Sequence, residues 1–220
     1  MAATLIQRFY PTLRPGDHLR AVTGSSKASL VHVRQGQLDG ACGLHCIVMA
    51  LIAMGLASRA QLRSLPAVES DRFDLLWRRS LDTYFTGLDG DELAALLATV
   101  GNEVAWDQYE GAHNRVLQFA IRAEWPSLVI LGWISQAREH GHWVLVVGSE
   151  WLESDHDEEI IALLCLDPAI ETPRGTAYNA RLELTKPRRG AKHLHYVRMD
   201  GRRTSVTCTD AFSLRLVSQP

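Results

Sequence analysis

"HWVLVVGSEWLESDHDEEIIALLCLDP", residues 142 to 168, holds two apolar runs of strand-forming residues, 142–150 and 160–168, on either side of a charged stretch. Runs of this length rich in Val, Ile and Leu, bounded by polar residues, read as buried strands. The intervening "ESDHDEE" (153–159) reads as a solvated loop. The two runs are close enough in sequence to pair as an antiparallel hairpin. That pairing brings the start of the first, His142, toward the end of the second, Asp167.

Working outward, "SLVILGWIS" (127–135) is a further strand, "HLHYVRMDGRRTSVTCT" (193–209) a hairpin turning at Asp200-Gly201, and "FSLRLVS" (212–218) a last strand. Upstream the period changes. "CGLHCIVMALIAMGL" (42–56) is apolar on nearly all sides and reads as a buried helix that ends near Gly55. Shorter helices are expected at 59–65, at 71–85 (Phe73, Leu76, Trp77, Leu81 and Tyr84 in helical spacing), at 88–101 with Asp89 as cap, and at 113–125, where Pro126 stops it. Residues 29–35 read as a short strand. Helices first and antiparallel strands second predict an α+β fold. One domain over residues 1–220 is expected, with a core at 35–169 and a β-rich extension at 170–220.

The chain has 220 residues, 46% apolar and 22% charged, enough for a sizeable core. Lys and Arg number 23 against 25 Asp and Glu, a net charge of -2, which lacks the basic face a nucleic-acid binder needs. The basic clusters "KPRRG" (186–190) and "GRR" (201–203) read as solvated turns. No apolar run reaches the length of a membrane span, and the N-terminus carries no secretory pattern. Four cysteines, at 42, 46, 165 and 208, make no disulfide framework and no zinc-type pair. A cytoplasmic, reducing setting is therefore expected where the protein is made, with export by a specialised system left open. "HGH" (140–142), "DHDEE" (155–159) and "HLH" (193–195) lack the spacing of a metal site, so neither metal nor cofactor is expected.

Cys42 stands where the turn "QLDGA" (37–41) becomes the apolar helix. A packing cysteine has no need of that place. A reactive thiol gains from it, because the positive end of a helix favours thiolate. A nucleophilic cysteine also needs a base and a group that orients the base. His142 opens a buried strand at the sheet's edge, and Asp167 closes the next. Cys46, one turn deeper than Cys42, reads as core, and His45 as structural.

"QGQLDGACGLHCIVMAL" (35–51), "HGHWVLVVG" (140–148) and "LLCLDPA" (163–169) together resemble the papain-like cysteine peptidases. They are most similar to the bacterial branch that includes the bacteriocin-processing peptidase domains of ABC transporters. The resemblance implies a papain-like fold, with a central nucleophile helix packed on a C-terminal antiparallel sheet. It implies Cys42 as nucleophile, His142 as base and Asp167 as its orienter. It also implies an upstream glutamine as oxyanion donor. The usual position, six residues before the cysteine, is Gly36. Gln35 and Gln37 flank it, and Gln35 fits the variant spacing of bacterial relatives better. The expected function is hydrolysis of a peptide or isopeptide amide bond in a protein or peptide substrate. A glutamine deamidase or transglutaminase-like effector with the same triad, and a non-catalytic peptide-binding module, are the alternatives.

Overall fold

The computed structural model describes residues 3–23, 28–36, 40–63, 73–123, 125–135, 138–154, 157–184 and 193–217. In chain order the elements are strands β1 (Thr4–Phe9), β2 (Leu13–Arg14), β3 (Arg20–Ala21) and β4 (Ser29–Leu30), then helices α1 (Cys42–Ala53), α2 (Arg59–Arg63), α3 (Asp74–Ser80) and α4 (Gly90–Leu97). Strand β5 (Val104–Glu110) and helix α5 (His113–Arg122) follow. The chain then runs through β6 (Leu128–Ser135), β7 (Arg138–Ser154), β8 (Asp157–Leu166), β9 (Ala180–Glu183), β10 (Leu194–Arg198) and β11 (Arg203–Leu216).

The α+β expectation is corrected. The protein is mostly β, 41% strand and 22% helix, and is built on a closed six-stranded antiparallel barrel, not on the papain-like α+β layout. The barrel runs β7, β6, β11, β10, β9 and β8, and β8 returns to pair with β7. Strands β9, β10 and β11, between residues 180 and 216, supply half of it. An open sheet would leave a row of unpaired amides at each edge, and closure removes those edges. The helical expectations were also too long. Around 71–85 the described helix is Asp74–Ser80, and around 88–101 it is Gly90–Leu97, held by a capping box between Asp89 and Glu92. Residues 104–110, given no element by the periodicity, pair with β11.

Strand alternation divides the core. In β6, Leu128 and Ile130 face outward to α1, while Val129, Leu131 and Trp133 join the cluster to which all six barrel strands contribute. In β7, Trp143, Leu145 and Val147 face α1, and Val144 and Val146 face inward. Both faces of these strands are covered, which is why their sequences read as unbroken apolar runs. Helix α1 lies on the outer face, buried along nearly its whole length.

Long strand β7 changes partners midway. Residues up to Val146 pair with β6, and residues from Gly148 onward pair with β1. A bulge against β8 falls at the same point, between Val146 and Gly148. A side chain cannot occupy that switch, because a Cβ on Gly148 would collide with the Arg8 carbonyl oxygen and lie 2.9 Å from the Phe9 ring. Gly148→Ala is therefore expected to destabilise the fold by about 1–3 kcal/mol in urea unfolding, the usual cost of overpacking. Gly16→Ala, where the new carbon meets only the His18 carbonyl at 3.7 Å, should stay within about 0.5 kcal/mol of wild type. Equal effects of the two would show that the partner switch does not depend on the glycine.

Candidate active site

Three elements bring Cys42, His142 and Asp167 together. Cys42 is the first residue of α1, 6% exposed, at a helix end that no side chain caps. His142 lies on β7 directly across from Trp133 on β6, and shares the inward parity of Val144 and Val146. Asp167 follows β8 and continues the inward parity of Leu163 and Cys165. Pairing of Leu145 with Leu166 sets His142 and Asp167 at the same end of the barrel.

The His142 Nε2–H donates to Asp167 Oδ1 at 2.8 Å, with the two side chains 17% and 4% exposed. That leaves Nδ1 for the thiol, and the Cys42 side chain is close enough to help raise the His142 pKa. Burial pulls the imidazolium down. The Asp167 charge and hydrogen bond, joined by Cys42, more than offset it and raise the His142 pKa to about 10. Burial likewise acts to raise the Asp167 carboxyl. The charge of His142 and hydrogen bonds from His142, Tyr196 and the Ala169 amide prevail and hold it below its ordinary value. Trp133 stands edge-on to the His142 ring at 5.0 Å and tilted against Tyr196 at 5.0 Å, so it covers the pair from the interior side.

Asp167 is held on every side. Tyr196 Oη donates to its Oδ2 at 2.6 Å, and the Ala169 amide donates to Oδ1 at 2.8 Å. Asn179 accepts from the Asp167 amide at 2.7 Å and donates to the Asp167 carbonyl at 2.9 Å. His32 Nε2–H donates to the same carbonyl at 3.0 Å, while its Nδ1 accepts from the Thr172 hydroxyl at 3.1 Å. Burial lowers the His32 pKa, and burial followed by the Asp167 charge raises that of Tyr196 far above the usual range. Tyr196 therefore remains a protonated donor. Sequence reasoning missed Tyr196, Asn179, His32 and Trp133. The parity of "LHYVR" (194–198), which buries Leu194 and Tyr196 and exposes His195, was the available signal for Tyr196.

Cys42, His142, Trp133 and Gln35 all line one cleft of about 890 Å³. Gln35 is anchored through its amide to the Pro168 carbonyl at 2.7 Å. Gln37 lies outside the described residues. Gly40 lets the turn before α1 press against the 84–87 segment: its amide donates to the Tyr84 carbonyl at 2.9 Å, and a Cβ there would lie 2.5 Å from the Gly87 nitrogen. The Cys42 amide donates to the Gly40 carbonyl at 3.0 Å.

Cys46, Cys165 and Cys208 are buried, and all four cysteines are free. Burial pushes the Cys46 and Cys165 thiols far up and that of Cys208 to about 12. Among the described residues no group of three His, Cys, Asp or Glu side chains is arranged to hold a metal. His193 instead bonds the Thr207 hydroxyl at 2.9 Å. Residues 155–156 and the basic cluster at 186–190 lie outside the described residues. No described helix is long and apolar enough to cross a membrane. A second cavity, about 660 Å³ near Gly55 and Arg59, contains none of the site residues. No family model matches the chain, and no curated protein matches it significantly.

Two measurements probe this arrangement. Tyr196→Phe leaves a buried carboxylate oxygen without its donor and is expected to cost about 1–3 kcal/mol in chemical denaturation. A change within error would mean that water or another donor replaces the hydroxyl. The second follows from His142, whose pKa of about 10 lies above the ~6.5 of an unfolded histidine. Its ionisation stabilises the folded state fully below about pH 6.5, and this contribution is lost as the pH rises toward about 10. The Tm difference between wild type and His142→Gln should thus be largest near pH 6 and shrink up to pH 10. A difference that grows with pH would contradict the imidazolium assignment.

Proposed function

We propose that the protein is a cysteine-dependent hydrolase that cleaves a peptide or isopeptide amide bond. The observation that supports this best is the placement of His142 between Cys42 and Asp167 at the wall of a single cleft. His142 and Cys42 act as an imidazolium–thiolate pair, with the thiol proton held on Nδ1, and the sulfur attacks the amide carbon. In this reading the resulting oxyanion is met by the Gln35 side-chain amide. The imidazolium then passes its proton to the departing amine as the C–N bond breaks, leaving a thioester. A water molecule, deprotonated by His142, hydrolyses the thioester and frees the thiol. Asp167 keeps the Nε2–H tautomer and supports the imidazolium throughout.

This reading extends the likeness to papain-like peptidases of the bacteriocin-processing branch to the site alone, and leaves aside the layout that the likeness implied. Four free cysteines support a reducing compartment, and we take the cytoplasm as the place of synthesis.

Iodoacetamide labelling of the folded protein, mapped by mass spectrometry, should modify Cys42 well before Cys46, Cys165 or Cys208. Equal rates at all four would sink the nucleophile assignment. Cys42→Ala should abolish turnover with little change in Tm. Gln35→Ala should lower turnover by roughly 10²–10³, the range for a lost side-chain oxyanion donor. If neither Gln35→Ala nor Gln37→Ala reduces turnover, the oxyanion is held by other groups. Ammonia as the released product, in place of a new chain amine, would redirect the chemistry to side-chain deamidation.

A further inference from the structure

The cleft beside Cys42 carries five carboxylate residues, Asp89, Asp91, Glu92, Glu110 and Asp210, and no lysine or arginine among its described lining residues. Asp89 and Glu92 have a structural use, since they cap α4 reciprocally. Asp91, Glu110 and Asp210 have no ion pair with a basic side chain among the described residues. The contrast with the rest of the surface is sharp. Arg78 meets Asp74, Arg34 meets Glu171, Arg181 meets Glu150, and Arg198 meets Asp200. Elsewhere this chain repeatedly sets arginine against its carboxylates, while along the cleft wall it leaves them uncompensated.

The three residues come from different elements and form one wall. Asp91 lies in the first turn of α4, Glu110 ends β5, and Asp210 lies in β11 beside the bulge after Cys208. Their elements are in contact: Asp210 pairs with Glu110 in the sheet, and a Cβ on Gly90 would lie 2.8 Å from Asp210 Oδ1. Burial, together with the charges of Asp89 and Asp91, raises the Asp210 carboxyl against the pull of a Thr209 hydrogen bond. Like charges thus repel across the wall with no lysine or arginine among the described lining residues to relieve them. A second observation also points to an occupant. Trp133 lines the same cleft, is only 9% exposed, and its Nε1–H has no acceptor among the described residues.

We infer that the cleft accepts a chain carrying lysine or arginine side chains next to the bond presented to Cys42, and that Asp91, Glu110 and Asp210 select it. This rests on the hydrolase reading above. A single metal ion is a poor match for the wall, because no three of its ligand-type side chains converge. An extended polypeptide with basic side chains can reach carboxylates spread over three elements. Low-dielectric cleft walls lined by one sign of charge concentrate the oppositely charged partner. The same field disfavours acidic chains, so the wall acts by exclusion as well as attraction.

The test uses the full chain and two thiol reagents of opposite charge, methanethiosulfonate ethyltrimethylammonium and methanethiosulfonate ethylsulfonate. Labelling rates at Cys42 are read by mass spectrometry and divided by those for 2-mercaptoethanol. Relative to that free thiol, the cation should be favoured by roughly tenfold or more at low salt, within the range of electrostatic focusing. The preference should fall as salt is added. Asp91→Asn, Glu110→Gln and Asp210→Asn combined should reduce it to within about threefold of the free thiol, as expected when the focusing charges are gone. Coumarin-linked peptides with Lys or Arg beside the scissile bond should then be cleaved faster than their Glu counterparts by wild type, and the gap should close in the triple variant. Salt dependence in wild type provides the check if that variant folds poorly. A normalised ratio near one, or one unmoved by salt, overturns the inference and leaves the hydrolase reading standing. A Cys42 inert to both reagents overturns both together.

Discussion

A carboxylate that is 3% exposed governs this molecule. An ionised Asp167 without partners would be untenable at that depth, since burying an unpaired charge costs more than most single interactions return. Its two oxygens are satisfied by donors from three stretches of chain: His142 on β7, Tyr196 on β10 and the Ala169 amide just beyond β8. Those stretches meet only because β8 pairs with β7 on one side and β9 on the other, and β9 pairs with β10. The closed ladder and the buried acid therefore require each other. Opening the barrel between β8 and β9 would separate Tyr196 from Asp167 and strand the charge.

The site straddles the barrel wall. Cys42 belongs to a helix on the outer face, while His142 and Asp167 follow the inward parity of their strands. They meet at the barrel's end, where His142 precedes the fully covered part of β7 and Asp167 follows β8. This gives the imidazole two unlike surroundings. On one side lies the buried carboxylate; on the other is the cleft, and the Trp133 ring packs edge-on against the imidazole between them. Such an arrangement fixes the tautomer from within and leaves the second nitrogen for chemistry outside. The chemistry itself remains our proposal, whereas the placement of the groups follows directly from register.

The local parts of this arrangement were legible in the sequence. Apolar runs at 127–135, 142–150 and 160–168 correspond to β6, β7 and β8, because strands covered on both faces need unbroken apolar sequence. Helix α1 was legible for the same reason, and the nearness of His142 and Asp167 followed from hairpin pairing of neighbouring strands. Closure was not legible. The β10–β11 hairpin was read from its Asp200-Gly201 turn, but closure also depends on β8 meeting β9 and β9 meeting β10 across long connections, and no turn signal announces those partners. The helix-first, strand-second pattern also misled the fold class, since the N-terminal helices are short and β1 and β5 join the strand system from outside the C-terminal block. Tyr196 was overlooked because a buried tyrosine on a barrel stave looks like packing until its hydroxyl finds an acceptor on a distant strand.

One further coupling ties the upstream glutamine to the acid. The segment 31–36 runs alongside residues 167–172, joined by His32 to the Asp167 carbonyl, by the Gln35 amide to the Pro168 carbonyl, and by Arg34 to Glu171 at the surface. Gln35 is therefore positioned by the very loop that carries Asp167, although 132 residues of sequence separate the two. The exposed Arg34 pair adds little, as surface ion pairs usually do. The buried His32 contact is different. Its ring is kept neutral, so Nε2–H can donate to the Asp167 carbonyl while Nδ1 accepts from Thr172, and neither bond depends on solvent. A displacement of the 31–36 segment would thus alter two things at once: the reach of the Gln35 amide into the cleft and the main-chain bonds that hold Asp167 against His142. Oxyanion donor and orienting acid share a single backbone lacing, which is how a site assembled from distant parts of the chain can stay in register.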